Sequence, residues 1–199
     1  MVKADQVKSA QKCVLGVAAR VGVRQLVFMT DAKNIAQTVR SLELLPCGSV
    51  VIFRAYNNPD RKDCARFVLQ HAHACGHLFL IARDVRLARI LRADGVHLPE
   101  YMLRGTRPNF FGFNFVTAAC HNLAALQRAA RFSVDLALVS PAFQTQSHTD
   151  QQGLGVHRFA RLVKNAPLPV AALGGVNVKT AGKLRGLGLM AVAGISGII

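Results

Sequence analysis

Residues 49–81 read SVVIFRAYNNPDRKDCARFVLQHAHACGHLFLI. An apolar run, Ser49–Arg54, passes through a polar turn into a stretch of helical pattern, Asp60–Cys75, and emerges as a second apolar run, His77–Ile81. Short, continuously apolar runs separated by a helix-length segment are the pattern of parallel strands joined by a crossover helix, because such strands are covered on both faces.

The same alternation extends in both directions. Further apolar runs lie at Gln25–Thr30, Gly95–Leu98, a weaker Gly112–Val116, Leu136–Ser140, Pro169–Leu173 and Met190–Ala193. Between them, Ala32–Leu45, Val85–Leu91, Asn122–Phe132, Gly155–Asn165 and Val178–Gly186 are of crossover length and mostly helical in pattern. Val2–Ala19 reads as an amphipathic helix, with Val7, Ala10, Val14 and Val17 near helical spacing. Eight strand–helix units in 199 residues predict an α/β fold, a single-domain (β/α)8 TIM barrel over 1–199, with residues 1–24 as N-terminal helix and lead-in. The rival, a doubly wound open sheet, lacks a Gly-rich dinucleotide fingerprint after the first strand. The eighth strand leaves no room for a helix before Ile199, so the expected barrel lacks its last helix or is covered there by the first one.

Composition limits the chemistry. Lys and Arg number 25 against 10 Asp and Glu, a formal charge of +15, and the chain is 51% hydrophobic. Disorder is excluded by the apolar fraction. The charge suits an anionic partner, and Arg, 17 of the 25 cations, suits bidentate phosphate contacts. With ten carboxylates, a site built on clustered Asp and Glu is hard to assemble. Aromatic residues do not interleave with basic ones and no nucleic-acid motif is present, so no nucleic-acid partner is expected. No apolar run approaches the roughly 18 residues of a membrane span, and Lys8, Lys12, Arg20 and Arg24 interrupt any secretory core, so no membrane partner is expected. Cys13, Cys47, Cys64, Cys75 and Cys120 form no CxxC pair, which argues against a disulfide framework or zinc site and for a reduced, cytoplasmic setting. His71, His73 and His77 have metal-compatible spacing, but Cys75 and Gly76 mark a loop there, and no metal site is assigned.

In such a barrel, ligands bind at the C-terminal ends of the strands, and phosphate commonly sits between the loops after strands 7 and 8. Leu173-Gly174-Gly175-Val176 ends strand 7 and Gly194-Ile195-Ser196-Gly197 ends strand 8. Glycines there let backbone N–H groups approach an anion closely, although ordinary Gly-rich turns would read the same.

Val170–Val176 (VAALGGV) and Val192–Ile198 (VAGISGI) resemble the last two strands of the thiamine phosphate synthase/TenI family. Ala93–Leu98 (ADGVHL) is similar to that family's most recognisable strand. Leu138–His148 (LVSPAFQTQSH), with the Leu154-Gly155 that follows, resembles its strand-6 segment, and Leu26–Asp31 (LVFMTD) its first strand. The likeness runs through nearly the whole chain in order. It implies a phosphorylated thiazole or thiamine as the small-molecule partner, a place in thiamine biosynthesis, and a homodimer as a candidate assembly. In the synthase branch it also implies a pyrimidine diphosphate bound with magnesium.

Carried over by position, the resemblance assigns phosphate binding to Gly174, Gly175, Ile195 and Ser196, with the hydroxyls of Thr145 and Ser147. The diphosphate end departs from the pattern. A strand-2 signature of Gln-x-Arg-x-Lys reads Ile52-Phe53-Arg54-Ala55-Tyr56, so Arg54 survives and Tyr56 stands where the Lys would be. Arg54 at the end of an apolar strand needs an anion or a buried ion pair. One magnesium carboxylate falls on Arg83, the other on Met102, and the strand-6 Lys is His148. Magnesium is the cofactor the family implies, yet both of its expected carboxylates are missing. Arg54, Arg83 and His148 are candidates for a metal-free anion clamp instead.

His121, after strand 5, stands where the TenI branch has the acid/base of thiazole tautomerisation, a reaction that needs only proton transfer. Histidine suits that work near neutral pH. The family Ser two residues earlier is Ala119 here. Many synthases also carry a His at this position. Three readings stay open: tautomerisation with His121, slightly favoured by the lost carboxylates; thiamine phosphate synthesis with an Arg-based diphosphate site, Arg54 included; and non-catalytic binding of a thiamine phosphate.

Overall fold

The protein is described by a computed structural model that covers residues 15–30, 34–144 and 153–195. Eight parallel strands close a barrel in chain order: β1 (Gln25–Met29), β2 (Val50–Phe53), β3 (Leu78–Ala82), β4 (Gly95–Leu98), β5 (Phe115–Cys120), β6 (Leu136–Val139), β7 (Val170–Leu173) and β8 (Ala191–Gly194). Closure is made by β8 returning to β1, with Leu26 opposite Val192 and Phe28 opposite Gly194. The helices are α1 (15–21), α2 (Ile35–Leu42), α3 (Arg61–Ala74), α4 (Val85–Leu91), α5 (Leu123–Arg131) and α6 (Gly155–Lys164). No helix among the described residues is long and apolar enough to cross a membrane.

Alternation along each strand separates two cores. Val27, Met29, Val50, Ile52, Leu80, Leu136 and Leu138 fill the barrel interior together with the small Ala82, Ala171, Ala191 and Ala193. Their neighbours of opposite parity, among them Phe28, Val51, Phe53, Phe79, Ile81 and Val139, pack beneath the helices. Fully burying one Leu or Ile contributes about 1.5–3 kcal/mol, so these layers dominate the stability. β4 and β5 each place one polar side chain inside. His97 Nδ1 lies 2.9 Å from Thr117 Oγ1, and both residues are buried. Burial and the nearby Arg54 charge push the His97 imidazole down to about 3, so it stays neutral.

Short polar residues start the helices. The side chains of Asn34, Asp84 and Asn122 accept N–H bonds from Gln37, Leu87 and Ala125 at 2.8–2.9 Å, each satisfying a first-turn donor. At the opposite face, Asp94 and Asp135 brace the strand entries. Asp94 accepts from the Phe79 N–H (2.8 Å) and contacts His73 Nε2 (2.8 Å), and Asp135 accepts from the Val116 N–H (2.7 Å). Asp94 thus has the structural duty its place below β4 suggests.

Two segments differ from the sequence reading. β5 begins at Phe115, three residues after Gly112, whose φ of 86° belongs to a turn. The segment after β7 forms only a 3-10 turn, Ala181–Leu184, because Asn177 and Thr180 bond one another and the local backbone (Asn177 N–H to Thr180 Oγ1, 2.9 Å) instead of continuing a helix.

Candidate functional site

The loops at the C-terminal ends of the strands carry most of the residues singled out above. His121 directly follows β5 and Ser140 directly follows β6. His121 Nδ1 lies 2.7 Å from the Ser140 carbonyl oxygen and 3.3 Å from Ser140 Oγ. A carbonyl only accepts, so Nδ1 carries a proton and donates it, and in the neutral ring the lone pair stands on Nε2. The His121 N–H donates to Glu100 Oε2 (3.0 Å), while Glu100 Oε1 receives Arg128 Nη2 (3.1 Å) from α5. These bonds fix the His121 backbone and ring from two sides. His121 lines a cavity of about 640 Å³ with Glu100, Tyr101, Arg104, Ser140 and Pro141.

Farther round the mouth, after β2 and β3, a second set of groups converges. Arg54 donates from Nε to the Thr30 carbonyl (3.1 Å), and its N–H donates to Thr30 Oγ1 (3.1 Å). The guanidinium carbons of Arg61 and Arg83 each lie 5.9 Å from the centre of the Tyr56 ring. Arg61 is held by Asp84 (Nη1 to Oδ2, 3.0 Å) and by the Ala82 carbonyl (Nη2, 2.8 Å). Arg83 stands at φ 72°, with its N–H on the His97 carbonyl (2.8 Å). Burial raises the Tyr56 hydroxyl above its ordinary range although Arg54, Arg61 and Arg83 all pull it down, and Tyr101 from the His121 cavity is close enough to act on it too. The arginine cluster and the His121 cavity are therefore electrostatic neighbours.

Gly174 and Gly175 end β7 at φ 90° and 67°. A Cβ on Gly174 would stand 3.0 Å from Pro141 Cα, and one on Gly175 would stand 2.5 Å from the Gln144 carbonyl oxygen. The loop after β6 is tied to this turn by Ala142 N–H to the Leu173 carbonyl (2.8 Å) and Phe143 N–H to the Gly174 carbonyl (3.0 Å). Both glycines thus have a packing duty: only a residue without a side chain lets the two loops touch. Ile195 follows β8 and packs on the barrel interior. Thr145, Ser147, His148 and Ser196 lie outside the described residues.

The structure brings Arg54, Tyr56 and Arg83 together and seats His121 in a cavity beside them. Sequence reasoning missed Arg61, whose partner Asp84 is 23 residues away, and the Ser140 carbonyl that orients His121. Asp84 and Glu100 are the carboxylates nearest in sequence to the two positions where magnesium ligands are expected. Neither fits that role. Asp84 uses one oxygen to cap α4 and the other to hold Arg61, and Glu100 is taken by His121 and Arg128. Among the described residues, no group of three His, Cys, Asp or Glu side chains is arranged to hold a metal ion. Cys120 is buried in the outer core, and burial pushes its thiol up to about 12, which removes it as a nucleophile.

The chain is similar to known proteins in sequence and in fold. The family model described as thiamine monophosphate synthase matches residues 26–198. A provisionally named thiamine-phosphate synthase 2 of Aquifex aeolicus is 32% identical over 124 residues, 60% of this chain and 64% of that protein. A thiamine-phosphate synthase of Synechococcus sp. is 29% identical over 155 residues, 76% of this chain and 44% of that protein. The matches therefore span less than two-thirds of either relative's own length. In fold, the chain resembles a thiamine phosphate pyrophosphorylase from Pyrococcus furiosus, with a TM-score of 0.69 at 24% identity over 89% of this chain and 88% of that one.

Proposed function

Since the chain belongs to the thiamine monophosphate synthase family, we propose that its barrel mouth binds a phosphorylated thiazole and that His121 moves a proton on it, as in thiazole tautomerisation. The observation that carries this reading is the His121 ring. Its Nδ1 proton is committed to the Ser140 carbonyl at 2.7 Å, which leaves Nε2 as the basic atom of a residue lining a 640 Å³ cavity. A fixed tautomer with a free lone pair is what a general base needs. The reaction takes a proton from one carbon and returns one to another, so no electrons or groups are exchanged and no metal is required. The phosphate is assigned to the Gly174–Gly175 turn, whose backbone N–H groups suit an anion, and to Ile195 after β8, with Ser196 as the partner the sequence adds. Glu100 is a positioning residue that holds the His121 backbone.

The test is direct turnover. The purified chain is mixed with the non-aromatic thiazole carboxylate phosphate and the aromatic isomer is followed by NMR, in parallel with thiazole phosphate plus pyrimidine diphosphate. Isomerisation by the wild type and its loss in His121→Gln, with binding retained, support the reading. Binding without turnover in the wild type overturns it in favour of a non-catalytic binder. Joining of the two phosphorylated substrates without isomerisation overturns it in favour of the synthase.

A further inference from the structure

The crossover from β4 to β5 holds a 3-10 turn, Glu100–Arg104, and no α-helix, so residues 105–114 run as a strap where the neighbouring crossovers place α4 and α5. The strap is bonded to both neighbours. Arg89 Nη2 donates to the Asn109 carbonyl (2.6 Å), and Arg107 Nε donates to the Phe132 carbonyl (2.8 Å). Phe110 is buried with the Arg107 guanidinium 5.4 Å from its ring centre, and the Arg89 guanidinium stands 5.7 Å from the centre of the Phe113 ring. Phe111, between them, has its N–H on Asn109 Oδ1 (2.8 Å) and is 89% exposed. A large aromatic at the tip of a bonded turn adds nothing to the core, and an apolar group left in water beside others marks a contact surface. Phe111 and Phe113, with Ala88 and Ala93, line a cavity of about 430 Å³ that also carries Arg89 and Arg92. It opens where the chain enters β4 and β5, on the face opposite the mouth.

Charge gives the sign of the partner. Arg86, Arg89 and Arg92 follow at intervals of three along α4 and its C-cap, and no carboxylate among the described residues pairs with any of them. Asp94, the carboxylate at the cavity, is spent on the Phe79 N–H and His73 Nε2. We infer that this cavity docks an acidic segment of another protein, which sets a large apolar side chain against Phe111 and Phe113 and its carboxylates against Arg89 and Arg92. Aromatic residues and Arg are the side chains that anchor protein interfaces. Arg89 spends Nη2 on the Asn109 carbonyl and keeps its other donors for a carboxylate, and Arg86 adds to the attraction from the same face of α4. A second copy of the chain, itself at +15, is repelled from such a surface. Single-stranded nucleic acid stacks its bases on several aromatic faces along a groove, whereas Phe111 alone projects at this cavity. The site goes beyond the proton-transfer reading and stands whether or not His121 is catalytic.

The experiment is selection of a displayed library of random dodecapeptides on the immobilised chain. The enriched sequences are then titrated, as synthetic peptides, into wild type, Phe111→Ser, Arg92→Gly and Arg161→Ala by calorimetry. Phe111 is 89% exposed and Arg92 stands at φ 52°, so serine and glycine keep the fold. Arg161→Ala, an exposed cation on α6, controls for general charge. The expected result is enrichment of peptides with Asp and Glu around a Phe, Trp or Leu. Their binding is weakened roughly tenfold or more by Phe111→Ser and by Arg92→Gly and is unaffected by Arg161→Ala. No enrichment, enrichment of neutral or basic peptides, or affinities that ignore Phe111→Ser and Arg92→Gly overturns the site. Self-association of the chain in sedimentation that Phe111→Ser abolishes, or an oligothymidylate that binds wild type and not Phe111→Ser, reassigns the surface and overturns the proposal too. None of these outcomes depends on turnover at His121.

Discussion

His121 Nδ1 and the Ser140 carbonyl oxygen are 2.7 Å apart, which ties the end of β5 to the end of β6 and sets the tautomer of the one ring. A main-chain acceptor makes this orientation independent of the residue type at position 140.

Ser140→Ala is therefore expected to retain most of the isomerisation rate. His121→Gln can keep an amide bond to the same carbonyl but has no basic nitrogen, so kcat should fall by about 10²- to 10⁴-fold with little change in ligand affinity. Steady-state kinetics and calorimetry on both variants check this. Equal losses in the two would show that the Ser140 side chain matters as much as the ring.

Gly175→Ala should destabilise the fold and displace the loop after β6. Its Cβ would sit 2.5 Å from the Gln144 carbonyl oxygen at φ 67°. The expected cost is about 1–3 kcal/mol, read as a fall in Tm. Gly182→Ala is the matched comparison, since a Cβ there meets nothing within 4 Å. Its Tm should hold or rise slightly.

Acid should weaken the protein through His97. Folding holds its imidazole near 3, below the ordinary 6.5, because it is buried and near Arg54. Between those values the unfolded chain binds a proton that the folded chain refuses, so stability falls as pH drops from about 6.5 toward 3, by up to about 1.4 kcal/mol per pH unit. Above 6.5 this contribution is fully present. Urea unfolding of wild type and His97→Gln across that window should show a shallower acid slope in the variant.

Magnesium should leave stability unchanged. A cation held by the native chain would raise Tm with concentration. Scans in EDTA and in excess magnesium, without other ligand, are expected to coincide. Asp84→Ala should instead lower stability in both by about 1–2 kcal/mol, because it removes the α4 cap and the partner of Arg61.

The barrel was legible because its strands are apolar on both faces and its helices are separated by polar turns, a local signal repeated along the chain. β5 was read too early, since aromatic residues at Phe110–Phe115 mimic a strand while the true one continues through the small residues Thr117–Cys120. Arg54 can be named from its place at the end of an apolar strand, whereas Tyr56 and Arg83 are named by the family resemblance. Arg61 can be named by neither, because its place depends on Asp84 and Ala82 across a loop, and sequence spacing carries no trace of that contact. The same holds for Glu100, which reaches His121 from 21 residues away.

In the proposed complex a phosphorylated thiazole sits at the mouth with its phosphate against Gly174, Gly175 and Ile195 and its ring toward His121. A crystal structure of the chain with thiamine phosphate tests it most directly. The predicted result is phosphate density against the backbone of Gly174, Gly175 and Ile195, with the thiazole ring reaching the His121 cavity. Phosphate density against Arg83 and Tyr56 with those turns empty, or no ligand at the mouth at saturating concentration, would contradict it.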